Sequence, residues 1–96
     1  MPRLIWTRTA QQAVVRLHRF LADQDRMAAQ RATKAIRAGL DVLIAQPRLG
    51  RPVDDLDVAF REWPIDVGDA GFVVLYRVDD DAVTILTIRH QREAGY

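Results

Sequence analysis

The stretch Phe72-Val73-Val74-Leu75-Tyr76-Arg77-Val78 is apolar at every position except Arg77. A β-strand sends successive side chains to opposite faces, and here both alternating sets are greasy, which places the strand in the middle of a sheet. The bulkier set, Phe72, Val74, Tyr76 and Val78, is expected to face a helical layer. The other set then puts Val73 and Leu75 on a face without cover from this chain. An open apolar face of that kind is where a partner protein docks.

Working outward, Asp79-Asp80-Asp81 reads as a turn, and Ala82 to His90 as the last strand. On the other side, Gly68-Asp69-Ala70-Gly71 reads as a hairpin turn, and Val58 to Asp66 as a strand. Pro64 lies inside that strand and cannot donate to a ladder, so an edge position or a bulge is expected. Residues 46–57 hold two Pro and one Gly and read as a loop. Upstream, two helical stripes precede it: Ala10, Ala13, Val14, Leu17, Phe20 and Leu21, then Ala28, Ala32, Ala35, Ile36, Leu40, Leu43 and Ile44. Thr9 with Gln12 suggests a capping box for the first helix. Asp23 and Asp25 suit the turn and the cap of the second, and Pro47 stops it. Residues 3–7 are a short strand of β-formers. The order is β-α-α-β-β-β: an α+β domain with an antiparallel three- to four-stranded sheet and an N-terminal helical hairpin packed on one face.

The chain has 96 residues, which fits a single domain over 1–96. It is 49% apolar and 28% charged, the balance of a soluble globular domain. With no Cys and two His there is no disulfide, no thiolate chemistry, and no ligand cluster for a metal; no cofactor is implied. No run approaches the ~18–20 apolar residues of a membrane span, and the N-terminal residues lack a secretory pattern, so a cytoplasmic protein without a membrane partner is expected.

The net charge of +1 conceals a division. Residues 8–46 carry seven basic and three acidic groups, residues 47–96 six basic and ten acidic. Thirteen of the 14 basic residues are Arg, the side chain suited to bidentate pairing with carboxylate or phosphate; Arg-rich codon usage on solvated faces is the simpler explanation. A general nucleic-acid binder would be more basic overall.

Phe60-Arg61-Glu62, the run from Gly71 to Val78, and Val83 to His90 together resemble the C-terminal half of the RelE/ParE superfamily of type II toxins, and length and element order extend the likeness over the chain. The ending Arg89-His90-Gln91-Arg92-Glu93-Ala94-Gly95-Tyr96 is similar to that of members labelled plasmid-stabilisation factors. The superfamily divides by mechanism: RelE-like members cut mRNA on the ribosome, ParE-like members poison DNA gyrase by binding. RelE-like enzymes place a basic residue after the aromatic of the central strand, where this chain has Val73. The pair Arg61-Glu62 and the run Tyr76-Arg77-Val78 are more like ParE. The resemblance therefore implies a ParE-like binding toxin, neutralised by a cognate antitoxin in a hetero-oligomer, with DNA gyrase as target. The alternatives are a ribosome-dependent mRNA endonuclease and an inactive relative.

The residues that would carry these roles follow. RNA cleavage by the 2′-hydroxyl needs a base, an acid and cations, so His90, Arg92 and Tyr96 are the catalytic candidates if the chain is RelE-like. Arg61, Glu62, Val73, Leu75, Arg77 and Arg89 are the candidates for contact with target or antitoxin. Each has a plainer reading: His90 as a hydrogen-bonded strand end, Arg61 and Glu62 as a cross-strand ion pair, Tyr76 as a core residue with its hydroxyl at the rim. Trp6 and Trp63 read as packing residues.

Overall fold

A computed structural model describes residues 3–67 and 70–91. In it the chain runs β1 (Arg3–Trp6), α1 (Arg8–Gln24), α2 (Arg26–Ala45), β2 (Arg51–Pro52), β3 (Phe60–Val67), β4 (Ala70–Val78) and β5 (Ala82–His90). The strands form one sheet in the order β1-β5-β4-β3-β2. The expected α+β architecture is present, with two differences. Arg51–Pro52, in the stretch read as loop, adds a two-residue strand antiparallel to β3. And β1 closes the far edge parallel to β5, with Ile5 opposite Thr84, so the sheet is antiparallel except at that edge. The helical hairpin between β1 and the rest returns the chain to the opposite edge, and the β3–β4–β5 meander brings β5 back beside β1.

The helices begin where short polar side chains satisfy free N–H groups. Thr7, not Thr9, caps α1: its hydroxyl accepts from Ala10 N and donates to the Ile85 carbonyl at 2.8 Å. Thr7 wins because it is the residue leaving β1, already extended and beside β5. Asp25 ends α1 and caps α2, accepting from Met27 N. Ala10, Ala13 and Leu17 of α1, and Ala32, Ile36, Leu40 and Leu43 of α2, are buried against Phe72, Val74, Tyr76, Val83, Ile85 and Ile88 of the sheet. Trp6 and Trp63 pack on the same core. Gly39 explains its own presence in α2: a Cβ there would stand 2.7 Å from Ile65 Cδ1, so glycine lets the helix settle on β3.

The strand Phe72–Val78 is central, as expected, flanked by full-length neighbours. Pro64 is tolerated because β2 pairs only with Arg61 and Glu62; beyond them the outer side of β3 has no neighbour among the described residues. Between Leu75 and Tyr76 the register with β5 slips, so that Thr87 lies opposite Leu75 and Ile85 opposite Tyr76. Leu86 is the extra residue of that bulge. Without it, strict alternation would place Thr87 and Arg89 on the helix side with Val83 and Ile85. With it, Ile88 and His90 take that side, and Thr87 and Arg89 turn to the other.

Candidate functional site

The pairing register sorts the predicted residues by face. Arg61 is opposite Tyr76 and shares the helix side with Trp63 and Ile65; Glu62 is opposite Leu75 on the far side. The cross-strand ion pair read for this segment is made by Glu62, which pairs with Arg51 across β2 and β3 at 2.5 Å, while Arg61 faces the other side. Arg61 reaches past the end of α2 and donates through Nη1 to the carbonyls of Gly50 (2.8 Å) and Arg48 (3.2 Å). Its Nε is shielded from solvent.

Arg61 works with Tyr76. That ring is fully buried, and its hydroxyl donates to the Pro47 carbonyl and accepts from Gly50 N–H, both at 2.8 Å. Burial pushes the phenol above the ordinary tyrosine range, opposed by the Gly50 hydrogen bond and the Arg61 charge. Three hydrogen-bond acceptors and one donor of residues 47–50 are thus held by two side chains of the sheet. A Cβ at Gly50 would collide with the Tyr76 ring and hydroxyl.

The open apolar face expected at Val73 and Leu75 requires correction. Both lie on the side away from the helices, but they are only 6% and 8% exposed. Val73 has Pro64 and Arg89 as cross-strand neighbours, and Leu75 has Glu62 and Thr87. Cross-strand Cβ atoms are ~5 Å apart, so the long Arg89 and Glu62 side chains stand directly beside these small apolar ones. A central strand with branched side chains can be largely covered in this way without a second layer.

On the same far face Arg77 lies between Phe60 and Thr84, is exposed, and pairs with Asp79 at 3.2 Å. Arg89 is four positions further along the register, about 13 Å away, with Nη1 donating to the His90 carbonyl at 3.2 Å. His90 points to the helix side, its ring edge-on to Phe72 with centroids 5.7 Å apart. Arg89 and His90, adjacent in sequence, take opposite faces, as neighbours in a strand do. Arg92 and Tyr96 lie outside the described residues. Among the described residues no group of His, Asp and Glu could hold a metal ion, and no helix is long and apolar enough to cross a membrane.

Two features had no warning in the sequence. Arg51, the partner of Glu62, sits between Pro and Gly residues that signal only a loop. And a cleft of about 420 Å³ opens beside β1, lined by Leu4, Trp6, Val14, Ile36 and Leu40, with Arg37 and Asp41 at its polar side. Among the described residues no strand lies beyond β1, so the cleft adjoins an edge with free backbone groups.

A five-stranded sheet carrying an N-terminal helical hairpin on one face and charged side chains on the other defines a class of small α+β proteins. The family described as the ParE toxin of type II toxin–antitoxin systems, parDE, matches residues 4–95. The chain belongs to this family, and so is by family a type II toxin of the RelE/ParE kind. It is 34% identical over 84 residues to Toxin RelE3 of Caulobacter vibrioides, a match covering 88% of each chain. Its fold is similar to that of a chain in the chromosomal ParDE toxin–antitoxin system from P. aeruginosa, with a TM-score of 0.73 and 20% identity over 94% of this chain and 96% of the other.

Proposed function

We propose that the chain acts by binding rather than by cutting RNA: a ParE-like toxin that inhibits DNA gyrase and is neutralised by a cognate antitoxin. The observation that carries this reading is the β5 bulge, which turns Arg89 onto the face of Arg77 and leaves His90 on the helix side, so that two arginines share one sheet face for contact with a target. Val73, in the position after the central aromatic, supports it further, because it offers no charge to a phosphate. Arg77 and Arg89, on one face and about 13 Å apart along the register, are the residues we assign to target contact, with Glu62 between them. Arg61 and Glu62 also act in the protein's own architecture, through the 47–50 loop and Arg51.

The antitoxin's place is assigned to the cleft beside β1 rather than to Val73 and Leu75. Its lining is mostly apolar and its rim is a strand edge with no neighbouring strand among the described residues, which suits an apolar helix or an added strand. Supercoiling and cleavage-complex assays with purified gyrase test the target: inhibition at micromolar toxin supports the reading, and untouched gyrase overturns it. The name of the Caulobacter relative favours a second reading, a ribosome-dependent mRNA endonuclease. Primer extension on translated mRNA decides it, since cleavage lost on His90→Ala would establish the enzyme. An inactive relative would give neither result and no growth arrest on induction.

A further inference from the structure

The outward faces of both helices are basic. On α1, Arg8, Arg16 and Arg19 fall on one stripe with Gln12 and Val15, opposite the buried Ala10, Ala13 and Leu17. At 1.5 Å per residue the stripe spans about 16 Å. On α2, Arg26, Lys34 and Arg37 fall on a second stripe with Gln30, away from the buried Ala32, Ile36 and Leu43. All six cations are exposed, and none of them has a carboxylate within ion-pair distance among the described residues. The acids of the hairpin are few: Asp25 caps α2 and pairs with Arg31 at 3.9 Å, Asp23 ends α1, and Asp41, one turn past Arg37 on the same stripe, borders the cleft together with it.

This surface is unlike a protein–protein contact, whose centre is depleted of charge and built on aromatic anchors. Val15, about half exposed, lies within the α1 stripe, and the exposed Phe20 and Met27 lie near the turn between the helices, at one end of the stripes. It is like a nucleic-acid contact, which is strongly positive and uses Arg, Lys and Gln to hold phosphates. Arg rather than Lys at five of the six positions favours bidentate phosphate contacts. We propose that the outer face of the α1–α2 hairpin docks on the phosphate backbone of a nucleic-acid duplex, without reading its sequence. The surface lies on the side of the molecule opposite Arg77 and Arg89, so a toxin holding a protein target by its sheet could hold that target's nucleic acid by its helices. The inference stands whichever target the sheet engages, and its test contains no gyrase and no ribosome.

The test is fluorescence anisotropy of the purified full chain with a labelled 20-base-pair DNA duplex at 50–200 mM salt. Binding is expected at low salt and should fall at least tenfold over that range, since each neutralised phosphate releases counterion. Arg16→Ala and the triple variant Arg8→Ala, Arg16→Ala, Arg19→Ala keep the helix, because Ala is its best former; circular dichroism checks this. They should weaken binding progressively and flatten the salt slope, while Arg48→Ala, off both stripes, should not. An RNA duplex of the same length distinguishes the source of the backbone: equal binding means charge alone is read, and a preference names the natural duplex. Poly-glutamate bound as tightly as the duplexes would overturn the proposal in favour of an acidic protein segment. So would a folded triple variant with unchanged affinity, or no binding by the wild type at 50 mM salt.

Discussion

The Tyr76 hydroxyl, at the end of a ring buried in the middle of the sheet, donates to the carbonyl of Pro47, the residue that stops α2. The bond spans 29 positions in sequence, and with the Gly50 contact it turns the loop after the helix back over β4. Tyr76→Phe leaves the ring's packing intact but strips partners from a buried N–H and from a carbonyl. A loss of about 1–3 kcal/mol is expected, measurable by urea denaturation, with the fold retained.

The same hydroxyl makes stability pH-dependent at the alkaline end. Burial raises its folded pKa above the ordinary value of 10.0. Above that value the unfolded chain has lost the proton and the folded chain still holds it, so stability falls as pH rises. The contribution is whole below pH 10 and declines above it. Denaturation at pH 8–11 should show this decline in the wild type, and Tyr76→Phe should reduce it.

Two glycines should respond differently to alanine. Gly50 faces the Tyr76 hydroxyl and the backbone carbonyl of Glu62, neither of which can retreat. Gly50→Ala is expected to cost about 2–3 kcal/mol. At Gly39 the obstacle is the end of the Ile65 side chain, and helix propensity returns ~1 kcal/mol. Gly39→Ala should therefore change stability by less than ~1 kcal/mol. Equal thermal shifts for the two would contradict the loop clamp.

Leu75 separates a packing role from a docking role. If it is packed on the far face, Leu75→Ala costs about 2 kcal/mol or more in the isolated chain. A solvent-exposed docking residue would move stability by no more than ~0.5 kcal/mol. The burial of Leu75 leads us to expect the first result in a denaturant titration.

Thr7 joins two elements through one hydroxyl, capping α1 and donating to Ile85. Thr7→Ala should lower stability by about 1–2 kcal/mol, whereas Thr9→Ala, exposed within the first turn, should be nearly neutral. The reverse order would restore the capping box suggested by Thr9 and Gln12.

Much of this protein is legible in one dimension. The two helical stripes, the central strand and the order of elements follow from local periodicity, because burial on one face repeats every 3.6 or 2 residues whatever the rest of the chain does. Asp25 and Pro47 mark helix ends by their own chemistry. The choice of Phe72, Val74 and Tyr76 as the helix-facing set also follows, from bulk alone. The charge division between the helices and the rest is visible too, though not that six of the seven helical cations would have no ion pair among the described residues. Thr7 was hidden because Thr9 and Gln12 offered an equally good local pattern, and only the position of β5 separates them.

What the sequence determined by itself was thus the kind of element at each place and the family the strands resemble. Tertiary structure decided which residues meet. A single unpaired residue, Leu86, shifts the phase of β5 and exchanges the faces of Arg89 and His90; an alternating pattern cannot announce it, because Thr84, Leu86 and Ile88 give no local cost for either phase. Arg51 finds Glu62, and β1 finds β5, by long-range pairing whose energy depends on both partners being in place. The face around Val73 and Leu75 closes for the same reason: whether an apolar side chain is open to water depends on the neighbours that the register sets beside it, and those neighbours are distant in the chain.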